Sequence, residues 1–198
     1  MNALTRKLAP NATQQIRTDH THVLTTFHEY HADRSPQTKK ALVNSACLAL
    51  EIHAQLEEEI FYPAMRQALA EAETVDKSVS EHQEIRLLIS RLRAMEPTAV
   101  DYDDTFMMLM RDVMHHVAEE ETVMLPKAER LLGDRLGDIG AEMMKRRMEL
   151  SAPHAGELAM NGVRTMHTST LLMTTGAAVA GAYLMKKAFG RQRHPFHH

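Results

Sequence analysis

Apolar residues recur along this chain at helical spacing, broken by a few sharp punctuation signals. Ile16, His20, Val23/Leu24, Phe27 and Tyr30/His31 form one stripe, which predicts a helix from Asn11 to about Asp33. Asn11 followed by Gln14 is the pattern of a capping box. Ser35-Pro36 restarts the chain, with a capping Ser and a Pro at the first helical position. The second stripe runs through Leu42/Val43, Ala46, Ala49/Leu50, His53, Leu56/Glu57, Ile60 and Ala64, predicting a helix to about Glu71. Pro63 lies inside it, lacks an N–H and frees the Glu59 carbonyl, so a kink is expected there. The third helix starts at Thr74, carries Val75, Val79, His82, Ile85/Arg86, Ile89 and Leu92, and is stopped by Glu96-Pro97. The fourth starts near Asp101, carries Phe106, Leu109/Met110, Val113, His116/Val117, Glu120 and Val123/Met124, and ends near Gly133. A shorter amphipathic helix is expected over residues 134–150. Four long helices with short connectors predict an all-α fold, an antiparallel up-down-up-down four-helix bundle with a fifth helix.

Polar residues on these stripes change the picture. Asp19-His20 matches Glu81-His82, Pro36 matches Pro97, His53 matches His116, Glu57 matches Glu120 and Pro63 matches Pro126, at offsets of 62, 61, 63, 63 and 63. The chain is therefore a duplicated hairpin, each half bearing one His on its first helix and His-x-x-x-Glu on its second. The i,i+4 spacing puts imidazole and carboxylate on one face, a turn apart. A lone His on an apolar face is ordinarily a hydrogen-bonded core residue. Here the same arrangement occurs twice, in phase with both stripes. Two hairpins packed face to face would gather four His and two Glu, and buried carboxylates are costly unless paired or coordinated. Mixed imidazole and carboxylate donors without thiolate suit iron, manganese or zinc rather than calcium, and two bridging carboxylates suit a di-iron pair best. Only one Glu of Glu57-Glu58-Glu59 can face inward, because successive helical residues turn by about 100°.

Composition excludes several alternatives. Of 198 residues, 44% are hydrophobic, 25% charged and only 5% aromatic, with no Trp and 8 Gly, which favours helices over a sheet protein. The net charge of -3, with acids and bases interspersed, gives no nucleic-acid surface. Cys47 is the only cysteine, so no intrachain disulfide forms, and it fits a small core position. His22 and His115 are expected on the surface. His31 falls on the first stripe but three turns from His20, too far to share its metal.

With these motifs assembled, the chain resembles the hemerythrin-like, or HHE cation-binding, family. The resemblance rests on Thr18-Asp19-His20, His53-x-x-x-Glu57 with Phe61-Tyr62-Pro63, Glu81-His82-x-Glu84, and His116-x-x-x-Glu120 leading to Leu125-Pro126, and spans about Ile16 to Leu150. It implies a bundle over residues 11–150 with a non-haem centre of two iron ions, held by His20, His53, Glu57, His82, His116 and Glu120, the two Glu bridging. Oxygen-carrying members have a further His four residues beyond the one matching His82. Arg86 stands there, and cannot ligate iron; pairing with a carboxylate, gating the site or snorkelling remain open to it. Those members also use an Asp five residues after the His matching His116, which would correspond to Glu121; the internal repeat selects Glu120, with Glu121 as the alternative ligand.

The resemblance implies a bacterial-type protein binding dioxygen, NO or a related oxidant for sensing, buffering or detoxification. A di-iron redox enzyme acting on peroxide or Fe(II), and an iron store, are the alternatives, with binding favoured over enzymatic turnover. Residues 151–167 read as a linker. Thr168–Met185 is an uncharged run of 18 residues closed by Lys186-Lys187, just long enough to span a bilayer but rich in Thr, Gly and Ala. Residues 168–187 are thus a candidate membrane-anchor or docking helix, followed by a polar tail over 188–198. Met1–Pro10 lacks the apolar run of a signal peptide, so the expected location is cytoplasmic, with a tether to the inner membrane as the variant.

Overall fold

The computed structural model describes residues 10–69, 72–156 and 160, and these are helical with short connectors. Helix α1 spans Ala12–Glu29 and opens on the expected capping box: the Gln14 N–H donates to Asn11 Oδ1 (2.9 Å), and the Asn11 N–H donates to Gln14 Oε1 (3.0 Å). It stops short of the expected Asp33. Tyr30 turns into extended backbone, its N–H closing on the Phe27 carbonyl and its hydroxyl donating to Asp103. His31 therefore leaves the stripe and is exposed.

Helix α2, Pro36–Leu56, begins under the Ser35 cap, whose Oγ accepts the Thr38 N–H at 3.2 Å. The single kinked helix expected to reach Glu71 is instead three pieces. A π segment covers Glu57–Phe61, and α3 covers Tyr62–Ala68. The physical cause is Pro63. With no N–H to give Glu59, the ladder slips one residue, and the Tyr62 N–H reaches back to the Glu57 carbonyl. Helix α4 spans Glu73–Ala94 and α5 spans Tyr102–Glu119. Pro126 repeats the event: a π segment covers Glu120–Met124, the Leu125 N–H bonds to the Glu120 carbonyl, and α6 follows over Leu125–Leu132. Gly133, at φ 46°, ends α6, a conformation open to glycine at little cost. Helix α7 spans Arg135–Ser151 and continues as a 3₁₀ turn over Ala152–His154. Among the described residues no helix is long and apolar enough to cross a membrane. The candidate anchor 168–187 and the tail 188–198 lie outside them.

The bundle packs α1 along α2 and α4 along α5, with α3 against α6 and α7 across α1 and α2. Its apolar core divides in two. One cluster contains Ile16, Leu56, Phe61, Met65, Leu125 and Met143; the other contains Val23, Leu50, Ile85, Phe106, Val113 and Cys47. His20, His53 and His82 each fall between a residue of one cluster and a residue of the other along their helices, and Glu120 falls between Val117 and Met124, so a buried polar layer lies between the two. The closest approach of α7 is at Gly140, where an added Cβ would lie 2.8 Å from Ala12 N and from Asn11 C. The Gln15 amide donates there to the Gly140 carbonyl at 2.7 Å.

Candidate metal centre

His20 comes from α1, His53 from the end of α2, His82 from α4 and His116 from the end of α5. Glu57 and Glu120 open the two π segments, and all six side chains are buried. Their Nε2 atoms face the carboxylates: His20 lies 3.2 Å from Glu120 Oε2, His53 and His82 each 3.4 Å from Glu57 Oε2, and His116 3.9 Å from Glu120 Oε2. Ligand atoms of His53, Glu57, His82 and His116 lie within 4.8 Å of one another, as do those of His20, His53, Glu57 and Glu120. The six residues selected by the duplication are thus one cluster able to hold cations at two overlapping positions.

The outer face of each imidazole is equally ordered. Nδ1 of His20 meets Glu121 (2.8 Å), that of His53 meets Asp19 (3.5 Å), that of His82 meets Glu58 (2.9 Å) and that of His116 meets Glu81 (2.8 Å). The residue before each first-helix His serves the second-helix His of its own hairpin. The residue after each inner Glu serves the first-helix His of the other hairpin. A carboxylate on Nδ1 fixes the tautomer with Nε2 deprotonated, free to accept or coordinate. Cations anchor three of these carboxylates: Arg147 binds Asp19 (2.5 Å), Arg86 binds Glu58 (2.8 Å) and Lys77 lies 3.7 Å from Glu81. The Glu run is thereby divided by function. Glu57 points inward, Glu58 backs His82, and Glu59 pairs with Arg146 at the surface (2.7 Å). Glu121 occupies the backing position on His20, and Glu120 the inner one. Arg86 contacts neither inner Glu.

Electrostatics show what this cluster lacks. Burial, then the nearby Glu120 charge, pushes the Glu57 carboxyl well above its ordinary range. Burial also acts on Glu120, but the His20 contact and the His116, His53 and His20 charges outweigh it and bring it down to about 2. Burial drives His53 down to about 4, against the pull of Asp19. Burial would lower His20 too, but Glu120 and Glu121 outweigh it and raise it. Among the described residues, the buried side-chain atoms without a hydrogen-bond partner include His20 Nε2, His53 Nε2, Glu57 Oε1 and Glu120 Oε2. Buried polar atoms are normally satisfied, and these four belong to side chains whose ligand atoms lie within 4.8 Å of one another, a set that a cation would satisfy. The donor set fits metal.

Sequence reasoning assigned no role to Tyr62 beyond the motif. Its buried hydroxyl donates to Glu57 Oε2 at 3.0 Å and lies 3.4 Å from Glu120 Oε1, while its ring stacks on His82 (centroids 5.7 Å apart, 21° between planes). The signal was Tyr62 at Glu57 plus five, the residue a π turn brings back to the same face. Its counterpart in the second half is Leu125, so the hydroxyl is present on one side only. The backing roles of Asp19, Glu58 and Glu81 were also missed, although Asp19 and Glu81 stood out in the repeat. His22 and His115 are exposed, as expected. His115 joins Glu81 and Glu119 in a further acidic group, but Lys77 already contacts both carboxylates.

A cavity of ≈ 10 Å³ adjoins the site, walled by the four His and by Val23, Leu50, Ile85, Val113 and Val117. That is room for about one water-sized molecule.

Residues 11–128 match the family model described as Hemerythrin HHE cation binding domain. The chain is similar to a solved structure from Mycobacterium kansasii, a hemerythrin HHE cation binding domain-containing protein. The TM-score is 0.64 at 20% identity, over 79% of this chain and 99% of that one, a likeness of fold. It is also 31% identical over 114 residues to a Nostoc sp. protein described as a DNA nickase, covering 58% of this chain but only 32% of that relative's length.

Proposed function

This chain belongs to the hemerythrin HHE cation-binding family, and on that premise we propose that it is a non-haem di-iron protein binding dioxygen, NO or a related small oxidant for sensing, buffering or detoxification. The observation that carries the reading is that His20, His53, Glu57 and Glu120, whose ligand atoms lie within 4.8 Å of one another, each hold a buried polar atom with no hydrogen-bond partner. His82 and His116 would complete the donor set, with Glu57 and Glu120 as its carboxylates. Iron held there would supply a redox-active Lewis acid able to take a small ligand. The protein supplies the rest. Asp19, Glu58, Glu81 and Glu121 hold the imidazoles in their ligating tautomer. Tyr62 keeps a hydroxyl proton on Glu57, and the valine and isoleucine walls exclude water. Arg86 acts through Glu58, drawing charge from the carboxylate that backs His82.

The cavity, with room for about one water-sized molecule, favours a diatomic ligand over a larger substrate. Turnover of peroxide or Fe(II) on the same centre is the alternative. The net charge of -3 argues against a nucleic-acid partner. We read residues 11–150 as the functional domain, an up-down-up-down bundle because short connectors join helices that pack on each other. Residues 168–187 are assigned as its anchor or docking segment, with the domain on the cytoplasmic side.

Anaerobic loading with Fe(II) followed by metal analysis is the first test, with two iron ions per chain expected. His53→Ala and Glu57→Ala should lose most of the metal and His115→Ala should keep it. Equal retention by all three variants would refute the assignment. A reversible change in visible absorption on cycling dioxygen supports binding, whereas steady consumption of added peroxide or Fe(II) moves the assignment to the enzyme.

A further inference from the structure

A groove of ≈ 400 Å³ runs outside the bundle between α1 and α2, walled by Thr25, Ser45, Leu48 and Ile52 and closed at one end by Asp19 and Arg147. The buried cavity lies behind it. Among the residues lining the two spaces Asp19 alone is common to both. Asp19 is therefore the residue at which the open groove and the buried cavity meet. Two contacts hold it: His53 Nδ1 at 3.5 Å on the inside and Arg147 at 2.5 Å on the outside. Arg147 comes from α7, which contributes none of the six candidate ligands. The side chains of Asp19 and Arg147 are 17% and 25% exposed, so the ion pair sits at the boundary with solvent.

We propose that the α1–α2 groove is the portal through which small neutral molecules reach the buried site, and that the Asp19–Arg147 ion pair is its latch. Rotation of Asp19 away from the cavity breaks this pair and the longer, 3.5 Å contact with His53. The Glu58–Arg86 pair, in contrast, borders neither this groove nor the cavity. A second groove, beside α4 and α5, meets the cavity at Ile85. That wall is an apolar side chain packed in the core, 4% exposed, and opening it means unpacking its neighbours. Half-buried ion pairs open at far lower cost than core contacts. The α7 helix thus acquires a role beyond packing, as the element that closes the portal.

The portal rests on the metal reading only in its iron arm, so two readouts separate them. In the Fe(II)-loaded protein, NO association measured by stopped flow should be about 5-fold faster in Arg147→Ala than in the parent, the factor expected on losing one partly exposed ion pair. At saturating Fe(II) the iron content should match the parent, because the six candidate ligands are intact. Arg147→Lys, which restores the charge, should return the rate toward the parent, and Arg146→Ala, which removes the surface pairs with Glu59 and Glu149, should leave it alone. In the metal-free protein, dissolved dioxygen should broaden the His53 ring resonance more in Arg147→Ala than in the parent. No iron uptake by the parent would sink the metal reading while leaving this second arm to judge the portal. Unchanged association and broadening in Arg147→Ala, or acceleration confined to Ile85→Ala, would overturn the proposal.

Discussion

Replacing Glu57 by Gln should move the metal-free and iron-loaded proteins in opposite directions. In the metal-free protein Glu57 is buried beside Glu120, and its carboxyl is raised well above the ordinary value of 4.5. Folded protein then keeps a proton that the unfolded chain has released. For a carboxyl shifted upward, that contribution is fully present below 4.5 and is lost as pH rises toward the folded-state value. The loss is about 1.4 kcal/mol for every pH unit in that window. Gln has the shape of the protonated acid, can still accept the Tyr62 hydroxyl and does not titrate. Measured against the parent, metal-free Glu57→Gln should gain about 1.4 kcal/mol between pH 5 and pH 6, or roughly 4 °C in melting temperature for a domain of this size. His20, Glu120 and His53 titrate in both proteins, so they largely cancel in the difference. With iron the sign reverses. The parent gains about 4 kcal/mol at metal a thousand-fold above its dissociation constant, and the variant, lacking a bridging charge, does not. Thermal unfolding followed by circular dichroism, on chelator-stripped and anaerobically loaded samples, reads both effects. A variant that is less stable than the parent without metal at pH 6, or one that still holds two irons, would refute the reasoning.

Glu58→Ala should weaken metal binding about 10–100-fold by releasing Nδ1 of His82. Glu59→Ala, which breaks only surface contacts with Arg146 and Gln55, should leave it unchanged, and competition with a coloured chelator distinguishes the two. Acid should strip the metal from the loaded protein, because the imidazoles must be neutral to coordinate. His53, depressed to about 4 by burial, contributes metal-free stability that is full above its ordinary 6.5 and lost as pH falls from there to 4. His53→Gln should flatten that part of the acid limb in pH-dependent melts. Gly140→Ala should cost about 1–3 kcal/mol in urea unfolding, because its Cβ would meet the Asn11–Ala12 backbone as well as the Gln15 amide.

Much of the site was legible along the chain because helical periodicity is local. A His and a Glu four residues apart must share a face whatever the fold, and the near-constant offset of the second copy told which faces meet. The helix starts were legible for the same reason, since Asn11–Gln14 and Ser35–Pro36 satisfy orphan N–H groups within three residues of themselves. Periodicity misjudged places where a distant partner decides. Tyr30 ends α1 as its hydroxyl bonds Asp103, 73 residues away. Pro63 announced a distortion, and its repeat partner Pro126 produced the same one unannounced; whether it would be a bend or a π turn depended on keeping Glu57 and Glu120 aimed inward.

From its residues alone the chain specified an all-helical, duplicated protein with six candidate metal-ligating side chains, since spacing, capping and proline chemistry act within a few turns. Tertiary packing decided the rest. It chose Glu120 for the inner position and Glu121 for the back of His20, and it crossed the carboxylates between helices and hairpins so that each imidazole is backed by another helix. It set Tyr62 over both inner Glu and laid α7 where Arg147 reaches Asp19. The backing carboxylate–imidazole contacts and the Arg147–Asp19 pair join residues 24 to 128 positions apart, a separation that no local pattern encodes.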